Sequence, residues 1–203
     1  MEPNGAAVVT GASRGIGRAT ALELARRGFE VVATMRDPSA GANLGDELGP
    51  ALGSLLVERL DVTDPATINL PRELRVIVNN AGVEDLNLPI EHAPIEMWQR
   101  MFATNVFGLV NATRIAIPLL RANGGGVICN VTSSSVLVPV PFLAVYRASK
   151  AAVSCLNESL LAEVGKFGIR VVEIMPGPIE TDMLAMSERP AAAIEYEPYR
   201  PLA

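Results

Sequence analysis

The chain has 203 residues, 49% of them hydrophobic and 19% charged, which suits one large core and a single α/β domain spanning residues 1–203. A net charge of -5, a pI near 5.0 and the lack of any basic run exclude a sequence-independent grip on nucleic acid, which needs clustered Lys and Arg. Mean hydropathy is +0.29, yet no stretch approaches the roughly eighteen uninterrupted apolar residues of a membrane span.

The N-terminal "MEPNGAAVVTGAS" lacks the basic and apolar regions of a secretory signal, so the cytoplasm is the expected compartment. "AAVVTG", "GRATALELARRG" and "FEVVATMR" then read as strand, helix and strand, a βαβ opening. Residues 38–54 are rich in Gly and Ala and read partly as loop. Further strands are expected at 55–62, 75–82, 125–134 and 169–177. The link "PATINLPREL" is short for a crossover helix, so a single turn or a loop is expected there. A helix near 94–122 should end or bend at Pro118, and another should run from about Val145 to Gly165. The tail 190–203 is expected to be irregular. Because the strand-like runs are continuously apolar, both sheet faces should be covered by helices, as in a doubly wound α/β fold with a parallel sheet.

"VVTGASRGIG" ends a strand and opens a helix, with glycines at 11, 15 and 17. Glycine allows the tight turn and a close backbone approach to a pyrophosphate, whose charge suits the unpaired N–H groups of a helix N-terminus. At the end of the second strand stand Arg36 and Asp37, where a dinucleotide site reads the adenosine ribose. Arg36 favours a 2′-phosphate and therefore NADP(H), while Asp37 as a ribose acceptor leaves NAD(H) open.

In "YRASK", Tyr146 precedes Lys150 by one helical turn, in a chain with only two lysines against fifteen arginines. A cation there favours the phenolate, so Lys150 is expected to lower the pKa of Tyr146. Cys129 and Cys155 read as small core hydrophobes and His92 as a surface or capping residue. No metal is expected.

Seven stretches together resemble the short-chain dehydrogenase/reductase family: "TGASRGIG" (10–17), "LDVTD" (60–64), "NNAG" (79–82), Asn105 in "TNVFG", Ser133 in "VTSSS", "YRASK" (146–150) and "PGPIETDM" (176–183). They occur in the family's order and cover the chain to about Met183. The resemblance implies a Rossmann-type sheet of order 3-2-1-4-5-6, and the family's final strand and substrate-covering helices have no counterpart in the sequence. It implies a catalytic set of Asn105, Ser133, Tyr146 and Lys150, with Tyr146 exchanging the proton of a carbonyl or alcohol, Ser133 hydrogen-bonding its oxygen, and Asn105 bending its helix and holding a water beside Lys150. Gly11, Ser13, Arg14, Gly15, Ile16, Gly17 and Arg36 would hold the phosphates, Asp61 and Val62 the adenine, and Asn80, Ala81 and Gly82 the ribose. Tyr146 and Lys150 would also touch the cofactor, while Pro176, Gly177 and Thr181 would close its nicotinamide end.

Ser133, Val138, Phe142 and Tyr146 would meet substrate, and the apolar "SVLVPVPFLAV", with Val136 where the family often has glycine, points to a lipophilic ketone or steroid-like alcohol. The implied assembly is a homodimer or homotetramer. The expected function is NADP(H)-dependent interconversion of a carbonyl and a secondary alcohol; the alternatives are ketoreduction of 3-oxoacyl thioesters and a non-catalytic dinucleotide sensor.

Overall fold

The computed structural model describes residues 4–179 and 192–202. Six strands, β1 (Ala6–Thr10), β2 (Glu30–Met35), β3 (Ser54–Arg59), β4 (Leu74–Asn79), β5 (Gly126–Val131) and β6 (Ile169–Ile174), form one parallel sheet in the order β3-β2-β1-β4-β5-β6. Strand order reverses between β1 and β4, and at such a point a crevice opens at the carboxyl ends of the strands.

The alternation of side chains along each strand sends successive residues to opposite layers. Ala7 and Val9 of β1 join Val31, Ala33, Val76 and Val78 beneath α1 (Gly15–Arg26) and α2 (Leu44–Leu48). Val8 instead joins Ile77 and Ile128 on the other face, under α4 (Leu109–Ala122) and α5 (Ala144–Val164). All five residues of β1 are buried, which is why its sequence shows no polar alternation. One polar row crosses this apolar layer: Asn79 donates to Thr113 (3.0 Å) and Asn130 (2.8 Å), and Asn130 donates to Asn157 (2.6 Å), joining α4, β4, β5 and α5 near the crevice.

The short link after β3 holds a single 3₁₀ turn, Pro65–Thr67, as expected. It replaces a helix because Ile68, 5% exposed, fills the same core layer, while the Thr67 hydroxyl accepts from the Asp61 N–H at 2.9 Å and ties the turn down.

Two expectations are corrected. Pro118 does not end its helix: α3 (Ile95–Phe102), a π-helical segment at Ala103–Gly108 and α4 run on without a break to Ala122. The wholly buried Ala116 and Leu120 flank Pro118 and hold α4 on the sheet, so the lost backbone bond is tolerated. By length and composition this 28-residue run is long and apolar enough to cross a membrane, but Met97, Met101, Leu109, Ala112, Ala116 and Leu120 are buried within the chain's own core. Cys129 is buried as expected, whereas Cys155 is exposed because Val153 and Asn157 take the inward face of α5.

In the tail, short 3₁₀ turns occupy Ala192–Glu195 and Glu197–Leu202. Tyr196 stacks on His92 with ring centroids 3.9 Å apart, and the Tyr199 hydroxyl donates to Glu91.

Leu120 lies at the centre of the α4 layer with no exposure. Leu120→Ala is expected to destabilise the chain by about 2–5 kcal/mol, read from urea unfolding at constant slope.

Candidate active site

The crevice is a cavity of about 720 Å³ reached by the carboxyl ends of the central strands. At its root, β1 and β4 are laced together. The buried Thr10 hydroxyl accepts from the N–H groups of Asn80 (3.0 Å) and Ala81 (3.1 Å) and donates to the Val78 carbonyl (3.2 Å). The Asn80 amide donates to the carbonyls of Thr10 (2.9 Å) and Gly11 (3.1 Å). A side-chain carbon at Gly17 would stand 2.4 Å from both the Asn80 amide nitrogen and the Gly11 carbonyl oxygen, so this closeness demands glycine. Gly11 and Gly15 take positive φ values of 67° and 55°, which glycine adopts without strain.

The glycine turn, through Ser13, Arg14, Ile16 and the start of α1, forms one stretch of the cavity wall, with Asp61, Val62, Asn80, Ala81 and Gly82 beside it. Arg36, exposed at the end of β2, also lines the cavity. Asp37 does not: its carboxylate accepts from the Ser39 N–H at 3.0 Å and caps the turn Pro38–Gly41, and this hydrogen bonding holds its pKa below the usual value. For Asp61, partial burial pushes the pKa up, but Thr63, donating from its N–H (2.9 Å) and hydroxyl (2.7 Å), with nearby Arg36 and Arg59, brings it below the usual value.

At the other end, α5 sets Tyr146 and Lys150 one turn apart and Ser133 stands just past β5. The Lys150 ammonium, 6% exposed, donates to the Val131 carbonyl at 2.9 Å and lies 5.7 Å from the Tyr146 ring centre. Burial lowers its pKa to about 8, against the opposing charge of Glu84. Tyr146 differs from expectation: burial raises its pKa, the hydrogen bond to Ser133 opposes this, and Glu84 adds to it. Desolvation of the phenolate thus outweighs any pull from the ammonium.

Asn105, 2% exposed in the π segment, pins a loop. Its side-chain oxygen accepts from the Val83 N–H (2.8 Å), and its amide donates to the Val83 carbonyl (3.0 Å) and the Ser149 hydroxyl (3.0 Å). Val138, 58% exposed, lines the cavity rim with Leu137, Val140 and Leu143. Phe142 does not line it; at φ 67° its ring turns to Tyr199, with centroids 6.1 Å apart. Pro176 and Gly177 line the cavity, and the Pro176 carbonyl accepts from the Ser134 N–H at 2.9 Å. Thr181 lies outside the described residues.

Two side chains of the site escape motif reading. Glu84 lines the cavity beside the Tyr146 and Lys150 pair. Glu173 on β6 accepts from Thr132 (2.6 Å), the residue before Ser133, and from Ser154 (2.5 Å), one turn past Lys150, so it braces the segments that carry Ser133 and Lys150. The signal for Glu173 was a charge inside the apolar run "IRVVEIM".

A family model described as short chain dehydrogenase matches residues 5–191. The chain belongs to the short-chain dehydrogenase family. An uncharacterised oxidoreductase of Bacillus subtilis (strain 168), YusZ, is 38% identical over 89% of this chain and 67% of its own length. Retinol dehydrogenase 8 of Bos taurus is 37% identical over 86% of this chain and 59% of its own, and estradiol 17-beta-dehydrogenase 2 of Rattus norvegicus is 32% identical, with the chain spanning 50% of it. Among solved structures, 3-ketoacyl-(acyl-carrier-protein) reductase from Brucella melitensis, complexed with NADH, matches at a TM-score of 0.84 and 30% identity over 92% of this chain and 80% of that one. A serine dehydrogenase complexed with NADP+ matches at 0.81 and 33% identity over 88% and 74%.

Because Lys150 titrates near 8 when folded and near 10.5 when unfolded, the folded chain sheds its proton first and stability rises with pH across that window. The stability of the parent chain relative to Lys150→Met is expected to rise by on the order of 2 kcal/mol between about pH 7.5 and about pH 10, read from urea midpoints. A constant difference would contradict the buried ammonium.

Proposed function

We propose that the chain interconverts a carbonyl and a secondary alcohol with NADP(H), acting on a lipophilic substrate. The observation that carries this is one cavity with the glycine turn at one end and, at the other, a phenol hydrogen-bonded to a serine with a buried ammonium one turn away. This donor set fits a nicotinamide dinucleotide: helix N-terminal N–H groups for the pyrophosphate and a guanidinium at the adenosine end. When bound, that cofactor supplies the hydride chemistry.

The chain's own groups supply the rest. Ser133 orients the substrate oxygen toward the Tyr146 hydroxyl, which gives its proton in reduction and takes it back in oxidation. Holding the phenol's pKa high keeps it protonated and able to donate. Lys150 provides the adjacent positive charge as a phenolate develops, and the Val131 carbonyl keeps it in place. Asn105 positions the loop at Val83 and, through Ser149, the same turn of α5.

Two observations support NADP(H) over NAD(H): Arg36 lines the cavity, and Asp37, the competing ribose acceptor, is spent on capping Ser39. Leu137, Val138, Val140 and Leu143 support a lipophilic substrate, in keeping with the names of the retinol and estradiol dehydrogenases among the relatives.

Tyr146→Phe is expected to lower kcat by about 10²–10⁴-fold with cofactor binding nearly unchanged; near-normal turnover on a carbonyl panel would refute the role of Tyr146. Arg36→Asp is expected to shift the NADPH to NADH affinity ratio by about tenfold or more toward NADH, measured by fluorescence titration; an unchanged ratio removes Arg36 from the 2′-phosphate site.

A further inference from the structure

The loop leaving β4 is pinned on both sides of Glu84. Val83 before it is held at its N–H and its carbonyl by Asn105, at 2.8 Å and 3.0 Å. Asp85 after it accepts from Arg100 at 2.7 Å and from the Leu86 N–H at 2.9 Å. Neighbouring Cα atoms are about 3.8 Å apart, so two anchored neighbours fix the backbone from which the Glu84 side chain projects.

That backbone lies against the catalytic pair. A side-chain carbon added at Gly82 would stand 3.5 Å from the Lys150 ammonium nitrogen, and Val83 packs in the same apolar cluster as Tyr146. Glu84 itself is half-buried and lines the cavity with Ser133, Tyr146 and Lys150. Its charge is felt at both titrating partners, raising the pKa of each.

Leu137, Val138, Val140 and Leu143 make the rest of this end largely apolar, with the uncharged Thr104, Thr132, Ser134 and Ser135 beside them. The guanidiniums that line the cavity among the described residues, those of Arg14 and Arg36, belong to the glycine turn and the end of β2. Lys150 is nearly enclosed and committed to the Val131 carbonyl. A substrate carboxylate entering here would meet a like charge in a partly desolvated site with no fork to receive it.

We propose that Glu84 is a specificity-determining residue that admits uncharged lipophilic alcohols and ketones and rejects substrates carrying a carboxylate near the reacting carbon. This rests on the carbonyl and alcohol reading above, and narrows it. Discrimination by an unfavourable like-charge contact selects as effectively as an added attraction.

The test is calorimetric binding of 1-octanol and of octanoate to the full chain, with and without NADP(H), for the parent, Glu84→Gln and Glu84→Asp. The parent should bind octanol about tenfold or more tightly than octanoate. Glu84→Gln should narrow that ratio at least about fivefold by strengthening octanoate alone, while Glu84→Asp should preserve it. Using a ratio cancels any general change in folding, and loss of the Glu84 charge favours the uncharged form of Lys150, which would weaken octanoate and so oppose the expected change. An equal shift of both ligands, no shift of either, or no binding of either overturns the assignment. Charge discrimination in binding without reduction of any carbonyl would uphold Glu84's role and sink the reductase reading instead.

Discussion

The hydroxyl of Thr10 is the constraint on which the rest of the molecule depends. The chains that leave β1 and β4 lead to helices on opposite faces of the sheet, and 1% exposed Thr10 closes the root of that junction with one oxygen accepting two backbone N–H groups and donating once. The amide of Asn80 then carries the tie to the glycine turn, which has no room for a side chain at Gly17. One wall of the crevice is therefore rigid down to its floor. A rigid floor is what a site needs if a cofactor and a substrate are to meet within a fraction of an ångström.

Above that floor the site trades stability for chemistry. An ammonium is held almost out of water with a carbonyl as its hydrogen-bond partner, a phenol is half-buried beside it, and two hydroxyls converge on the Glu173 carboxylate. Each of these groups would be better solvated in the unfolded chain. The apolar layers on the two faces of the sheet supply the compensating stability, and the asparagine row from α4 through Asn79 and Asn130 to α5 keeps the layers in register.

The fold was legible because continuous apolar runs, glycine punctuation and short links all point to a parallel sheet covered on both faces. The strands were read too long at their carboxyl ends: 75–82 was expected where β4 stops at Asn79, and 125–134 where β5 stops at Val131. The surplus residues are those that leave the sheet to line the cavity, and sequence periodicity cannot tell a strand from the extended chain that follows it. That Ser133, Tyr146 and Lys150 meet in one cavity was legible because Tyr146 and Lys150 stand one turn apart on α5 and Ser133 follows directly on β5. Phe142 was not, since its positive φ turns the ring out of the expected wall. Nor were Glu84 and Glu173, whose roles depend on neighbours 62 and 41 residues away in sequence, Tyr146 and Thr132 respectively.

The π segment at Ala103–Gly108 gives one long helix two different jobs. Each residue of an α-helix advances about 100° around the axis, so a wider turn rotates everything downstream relative to everything upstream. Before it, Met97 and Met101 face the small cluster that backs Tyr146; after it, Ala112, Ala116 and Leu120 face the sheet. Asn105 stands at that offset, so one long helix carries the side chain that pins the loop at Val83, the methionines that back Tyr146 and the residues that pack on the sheet.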